Sequence, residues 1–359
     1  MTKTFAGWRL IALYAGLALI VVLLLLGSGV HPAVAGGRLW EGAFGSPQAW
    51  RGTLRQMMPL LFAGLSVFIG LRAGLFNIGA EGQLLVGALA TATTALAVQG
   101  PLGMVLGLVV GALAGAVWTL PAGLIKAYRG GHEVITTIML NNIALLGTGA
   151  LVAGPLKAPE KQMPTTPMLE TQTRMPSLLR LDGTNGAVWT LGSPEDPGVR
   201  AMGRLAFEMN LAIPLGVVLI LAFGWWLARS VRGYEVCAMG ENPVAARFAG
   251  VDTRRTTVAA LAASGGAAGL GGALLVLGQE GRFFAGFSPG YGFDALGVAI
   301  LAGSSPVGIV PAAFVFGALN KGALSLQVID VPKGITGVIL GLLIVAFAAA
   351  RVREARNDD

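Results

Sequence analysis

The sequence is poor in charge. Only 12% of its 359 residues are Asp, Glu, Lys or Arg, against roughly 25% in soluble domains, and so few charges cannot coat a soluble globule of this size. Cysteine is nearly absent, and the single Cys237 excludes a disulfide framework and a cysteine-based zinc site. The two histidines, His31 and His132, are too far apart in the chain to suggest a metal cluster, so no metal site is expected. No G-x-x-x-x-G-K-[ST], H-E-x-x-H or G-x-S-x-G occurs, so the chain has no phosphate-binding loop, zinc-protease helix or nucleophile elbow of its own. It is not expected to be an enzyme, and any energy source belongs in another subunit.

Apolar residues and glycine are abundant: 54% of the chain is hydrophobic and 54 positions are glycine. The glycine has no collagen period, and the apolar content excludes disorder. The class that remains is an all-α, polytopic membrane protein whose helices approach closely through small residues. A net charge of +7 in so apolar a chain reads as an excess of Lys and Arg in cytoplasmic loops, not as a nucleic-acid surface.

Windows matched to bilayer thickness mark about ten transmembrane spans. They lie near residues 10–29, 53–71, 82–98, 102–126, 134–154, 211–228, 256–278, 293–303, 307–327 and 334–350, the eighth too short to cross unaided. The whole chain then forms a single transmembrane domain, with a long polar, proline-rich external loop at 155–209 and a shorter cytoplasmic loop at 229–255. With both termini inside, 13 of the 25 Lys and Arg residues fall in the short inner loops. Lys3 and Arg9 precede the first apolar run and Ala33-Val34-Ala35 resembles a signal-peptidase site. That run is longer than a usual signal-peptide core, so the first helix is read as retained.

Two stretches look like copies of one another. Pro101-Leu102-Gly103-Met104-Val105 leads to Gly111-Ala112-Leu113, and Pro306-Val307-Gly308-Ile309-Val310 leads to Gly317-Ala318-Leu319. Each follows a short apolar helix that opens in a polar, glycine-rich break holding an acid. The breaks are Phe76-Asn77-Ile78-Gly79-Ala80-Glu81-Gly82-Gln83 and Ser288-Pro289-Gly290-Tyr291-Gly292-Phe293-Asp294. Interrupted helices at matching places in two halves point to a transport site. Glu81 and Asp294 either line a solute path or cap the short helices that follow them. In the fifth span Thr137, Asn141 and Thr148 share one helical face, with Asn142 beside it. Their amides and hydroxyls suit either a neutral polar solute or hydrogen bonds between helices.

Two inner loops stand out. One carries Arg129, Gly130, Gly131, His132 and Glu133. The other contains Gly240-Glu241-Asn242-Pro243-Val244-Ala245-Ala246-Arg247-Phe248-Ala249-Gly250. Asn242 is a good N-cap, Pro243 fits the first helical position and Gly250 fits the position after the helix. The pattern predicts a helix of about two turns, too short to be stable alone in water, and so either a docking element or a plain interfacial helix.

These residues resemble a known family. The run from Gly70 through Gln83, Glu133-Val134-Ile135-Thr136-Thr137-Ile138-Met139-Leu140-Asn141-Asn142-Ile143-Ala144, the loop from Gly240 to Val251 and the block from Gly290 to Leu301 are together similar to the permeases of branched-chain amino acid/ribose ABC importers, in their nucleoside-uptake branch. The resemblance implies a permease of the bacterial cytoplasmic (inner) membrane, with both termini cytoplasmic, forming the translocation path for purine or pyrimidine nucleosides. The alternatives are ribose or another small polar solute, or a gradient-driven secondary transporter. The implied partners are ABC ATPase subunits holding ATP and Mg, a second permease (a shorter paralogue or this chain itself), an external substrate-binding lipoprotein and membrane lipid. The path would involve Phe76, Asn77, Glu81, Gln83, Thr137, Asn141, Asn142 and Asp294. ATPase coupling would involve Arg129, Glu133, Gly240, Asn242, Pro243, Ala246, Arg247, Phe248 and Gly250, with the 243–249 helix seated in an ATPase groove.

Overall fold

The computed structural model describes residues 2–159, 161–182, 186–192 and 205–329, together with 331, 332, 334, 335, 337–339, 341, 342, 345 and 346. The chain divides into two compact units, residues 1–57 with 314–359, and residues 58–313.

In the first unit α1 (Thr2–Gly27) and α2 (Pro32–Phe44) meet at a 96° bend. The bend follows from local chemistry: Pro32 opens α2, and the His31 side chain accepts the Ala33 amide at its N-terminus. Ala33-Val34-Ala35 lies inside α2. Leu25, Ala35, Leu326 and Val331 form the buried core of this unit. Beside it Phe44 packs against Trp40, Trp50 and Phe314. Two helices continue from this unit along the chain into the other, α3 (Pro47–Arg72) and α12 (Ile309–Leu326). Part of the expected tenth span, and the cations Arg351, Arg353 and Arg356, lie outside the described residues.

The second unit is built on α4 (Ala80–Ala97), α5 (Gly100–Arg129), α6 (Glu133–Ala153), α7 (Ala212–Arg229), α8 (Val231–Glu241), α9 (Pro243–Phe248), α10 (Thr253–Leu275) and α11 (Tyr291–Ala302). The buried face of α5 reads Gly103, Gly107, Gly111, Gly115 and Thr119, one residue every four. This stripe lets backbones touch, with Gly111 and Gly115 lying directly on Gly269 of α10. The opposite face of α5 exposes Leu102, Val105, Val109, Leu113 and Val117, an apolar surface suited to lipid.

Six helices among the described residues are long and apolar enough to cross a membrane, and a seventh span results if the bent pair α1–α2 counts as one. α4 is not among them, because Glu81, Gln83, Thr91, Thr93 and Thr94 dilute its hydropathy. α11 has only 12 residues, as the sequence expectation of a short eighth segment has it.

Helices carry the fold, and the segment between α6 and α7 adds an element that the all-α reading did not contain. Strands β1 (Ser177–Asp182), β2 (Gly186–Gly192) and β3 (Leu205–Asn210) form an antiparallel sheet of order β2-β1-β3. The register of β1 shifts near its start against both partners and again near its end against β3. Ahead of the sheet the chain runs as a strap along residues that follow α10. Thr166 N donates to Phe283 O, Leu169 N to Gly281 O and Met175 N to Leu277 O, at 2.9, 2.8 and 2.8 Å.

Candidate translocation path and coupling surface

The first break begins where α3 ends at Arg72 and closes at Ala80. Asn77 is its fully buried centre. Its carboxamide pairs reciprocally with that of Gln83, both bonds 2.9 Å, and donates to Ser264 Oγ of α10 at 2.6 Å. Ser264 in turn donates to the Ser66 carbonyl of α3 at 2.6 Å. The break is therefore tied to two long helices by a satisfied network in the interior, where an unpaired amide would be costly. Ser66 and Ser264 complete this network and were not among the predicted residues. Their signal in the sequence is a lone hydroxyl within an apolar span.

Thr137, Asn141 and Thr148 share the buried face of α6, as their spacing predicts. The hydroxyls of Thr137 and Thr148 return to the carbonyls of Glu133 and Ala144, four residues earlier. Asn141 reaches across to α4: its Oδ1 accepts the Gly82 amide and its Nδ2 donates to the Ile78 carbonyl, both at 2.8 Å. Asn142 points the other way, exposed, with a single bond to Ile138 O on its own helix.

For Glu81 the sequence leaves open a solute-path role or a cap on the short helix, and the structure shows a bond to the other break. Among the first-turn amides of α4, that of Gly82 is taken by Asn141 Oδ1. Glu81 instead extends to the second break, where its Oε2 accepts the Gly292 amide of α11 at 2.7 Å. The second break turns at Gly290, and the Ser288 hydroxyl accepts the amides of Gly290 and Tyr291. Asp294 is half-buried in the first turn of α11, and Phe76 and Phe293 are exposed beside the two breaks.

The predicted short helix is present as α9. Asn242 Oδ1 accepts the amides of Val244 and Ala245, each at 3.0 Å, and Pro243 is the first helical residue. At the other end Gly250 N donates to Arg247 O and Val251 N to Ala246 O, the paired bonds of a Schellman cap. Gly250 sits at φ +91, a conformation that glycine adopts without strain. Ala246 and Val251 are buried in a cluster with Leu75, Val236, Met239 and Leu261, so the inner face of α9 is anchored to the helix bundle. Its outer face shows Val244, Arg247 and Phe248, the last 89% exposed. Gly240 lies against the backbone of Arg72 and Gly74, which places the end of α8 on the start of the first break.

The α5–α6 loop is adjacent. Arg254, at the start of α10, lies over the Tyr128 ring at 5.6 Å. Arg129 is exposed on this surface. Glu133 is buried and paired to Lys126 at 2.9 Å, and so ties α6 to the last turn of α5. The structure thus gathers Asn77, Glu81, Gln83, Thr137 and Asn141 around the first break. It sets Asn142 on a different face, and it groups Arg129 with the α9 region at the opposite surface of the fold from the strap.

A fold of closely packed apolar helices, several long enough to cross a membrane, is that of a polytopic membrane protein, and comparison with known proteins gives the family. Residues 51–348 match the family described as branched-chain amino acid transport system / permease component, and the chain belongs to it. It is 34% identical over 346 residues to the guanosine ABC transporter permease protein NupP of Bacillus subtilis, covering 95% of this chain and 92% of that one. It is 32% identical over 325 residues to the glucose ABC transporter permease protein TsgB13 of Haloferax volcanii, covering 89% and 81%. To the nucleoside ABC transporter permease protein NupB of Lactococcus lactis it is 28% identical over 353 residues, covering 96% and 91%. No solved structure matches. The chain is an integral membrane permease subunit of an ABC transporter, a family whose members work with ATPase and substrate-binding components.

Proposed function

We propose that this permease forms the import path for nucleosides. The observation that carries the reading is the likeness, over nearly the full length of both chains, to permeases named for guanosine and for nucleosides. The site chemistry is compatible with it: the accessible groups beside the breaks and α6 include an aromatic ring, an amide and one acid, and the buried amides and hydroxyls are spent on holding the breaks in place. The likeness to a glucose permease supports a sugar as the second reading.

In this proposal the two breaks and α6 border the path. Phe76, Asn142 and Asp294 offer accessible groups, while Asn77, Glu81, Gln83, Thr137 and Asn141 hold the shape. Ten segments form one membrane domain in the bacterial inner membrane with both termini cytoplasmic. They are the α1–α2 pair, α3 to α7, α10 to α12 and the segment near 334–350, and the two breaks descend from an internal duplication. The 155–209 segment is external and the 229–255 loop cytoplasmic. α9 is the coupling helix, its Arg247 and Phe248 entering a groove of the ATPase, with the Arg129–Glu133 loop as a second contact. ATP and Mg are held by that ATPase. A second permease, a shorter paralogue or a copy of this chain, completes the pore, and a lipid-anchored binding protein delivers solute from outside.

The test is uptake into vesicles carrying the complete complex, offered a panel of nucleosides, glucose, ribose and amino acids. ATP-dependent uptake of a nucleoside is the expected result. Saturable uptake of a sugar alone would move the assignment to the second reading, and uptake that persists without the ATPase would remove the coupled mechanism.

A further inference from the structure

The two interrupted segments meet at their N-termini. A β-carbon placed on Gly292 would overlap the backbone of Ala80 and Glu81, so the first turns of α4 and α11 touch main chain to main chain. A helix N-terminus carries a positive partial charge and amides that its own helix leaves unsatisfied. Two such ends in contact leave free amides that need an acceptor between them. Glu81 supplies it. Its side chain belongs to the first turn of one helix and accepts an amide in the first turn of the other, 211 residues away in sequence. Glu81 is only 8% exposed, and at 2.7 Å its Oε2 leaves no room for solute or water between it and Gly292. The same helix start is held from a third side by Asn141 of α6.

We propose that Glu81 is a positioning residue, a latch that joins the two breaks into one body that moves as a unit through the transport cycle. The proposal rests on the reading of both breaks as parts of one path, and it assigns no solute. One carboxylate stabilises two helix ends, so neither short helix shifts without breaking the bond or carrying the other with it. Gly292 is the matching half of the latch, because any side chain there wedges the ends apart.

The experiment reads the distance between the far ends of the two helices, in the complete complex in lipid. With Cys237→Ser removing the native cysteine, spin labels are placed at Ala97→Cys and Ser304→Cys, both exposed. The expected result is one narrow distance distribution, identical in the nucleotide-free and ATP-bound states. Glu81→Gln, which keeps an acceptor oxygen, preserves it, whereas Glu81→Ala and Gly292→Ala each broaden or split it. In parallel, Glu81→Ala is expected to lower kcat for uptake by about tenfold or more with KM little changed, the mark of an interaction not made to solute. A distance that differs between nucleotide states in the unaltered latch overturns the proposal, as does an unchanged distribution in Glu81→Ala. A raised KM in Glu81→Gln also overturns it, by making the acid a solute contact. The distance measurement involves no solute, so it stands or falls separately from the nucleoside assignment.

Discussion

Asn141 and Asn142 are neighbours with identical side chains and opposite duties. Asn141 satisfies one donor and one acceptor at the start of α4, whereas Asn142 bonds only within its own helix. Asn141→Ala leaves the Gly82 amide and Ile78 carbonyl without partners and is expected to lower stability by about 1–3 kcal/mol. Asn141→Asp keeps the acceptor for Gly82 but turns an acceptor oxygen toward the Ile78 carbonyl and buries a carboxyl group, so it should also destabilise. Asn142→Ala should change stability by no more than about 0.5 kcal/mol, yet reduce solute affinity if the exposed side of α6 borders the path. Thermal unfolding in detergent, set beside uptake KM, separates the two. The buried stripe Thr137, Asn141, Thr148 is legible because helical spacing alone places those residues on one face. The Glu81–Gly292 bond is not, since a partner 211 residues away follows from tertiary packing that no local pattern encodes.

At the scale of the element, α9 is the part most fully written in the sequence. Its start and stop are made by side chain and backbone groups within a few residues, so Asn242, Pro243 and Gly250 specify it without reference to the rest of the fold. Its two faces are separable by substitution. Asn242→Ala removes the acceptor of two amides, should cost about 1 kcal/mol, and should weaken ATPase co-purification by loosening the helix. The pair Arg247→Glu and Phe248→Glu changes only the exposed face, and is expected to abolish co-purification while leaving thermal unfolding where it was. Retained ATPase binding in that pair would remove α9 from the interface. The β1–β3 sheet was less legible. Its strands sit in a stretch whose prolines, glycines and balanced charges read first as loop, and strand pairing is decided by partners outside the window. On α5 the division of faces gives a further outcome. Gly115→Val, against the backbone of Gly265 and Gly269, should prevent stable assembly, whereas Leu113→Val on the exposed face should be tolerated. The yield of monodisperse protein in detergent distinguishes them.

For the whole molecule, scarcity of charge identifies a membrane protein, but hydropathy does not count its crossings. Of the polar residues that dilute α4, Glu81, Gln83 and Thr91 bond to other segments of the fold, and α11 is short because the chain before it is the turn around Gly290. Polar groups buried between helices thus weaken the signal by which spans are found. The distribution of charge carries the orientation instead. The exposed cations Arg129, Arg247, Arg254 and Arg255 gather near α9, at the end of the bundle opposite the strap and sheet. In the proposed orientation, which follows the positive-inside tendency, that end faces the cytoplasm. In a Cys237→Ser background, Phe248→Cys should then react with a membrane-impermeant maleimide only when the inner face is opened. Met163→Cys, exposed on the strap, should react from outside in intact cells. The arrangement of ten segments further requires tags at both termini to share the compartment of Phe248. A tag reached from the outer face would break the even count, whereas reversal of both cysteine reactivities would invert the whole assignment and move α9 away from any cytoplasmic ATPase.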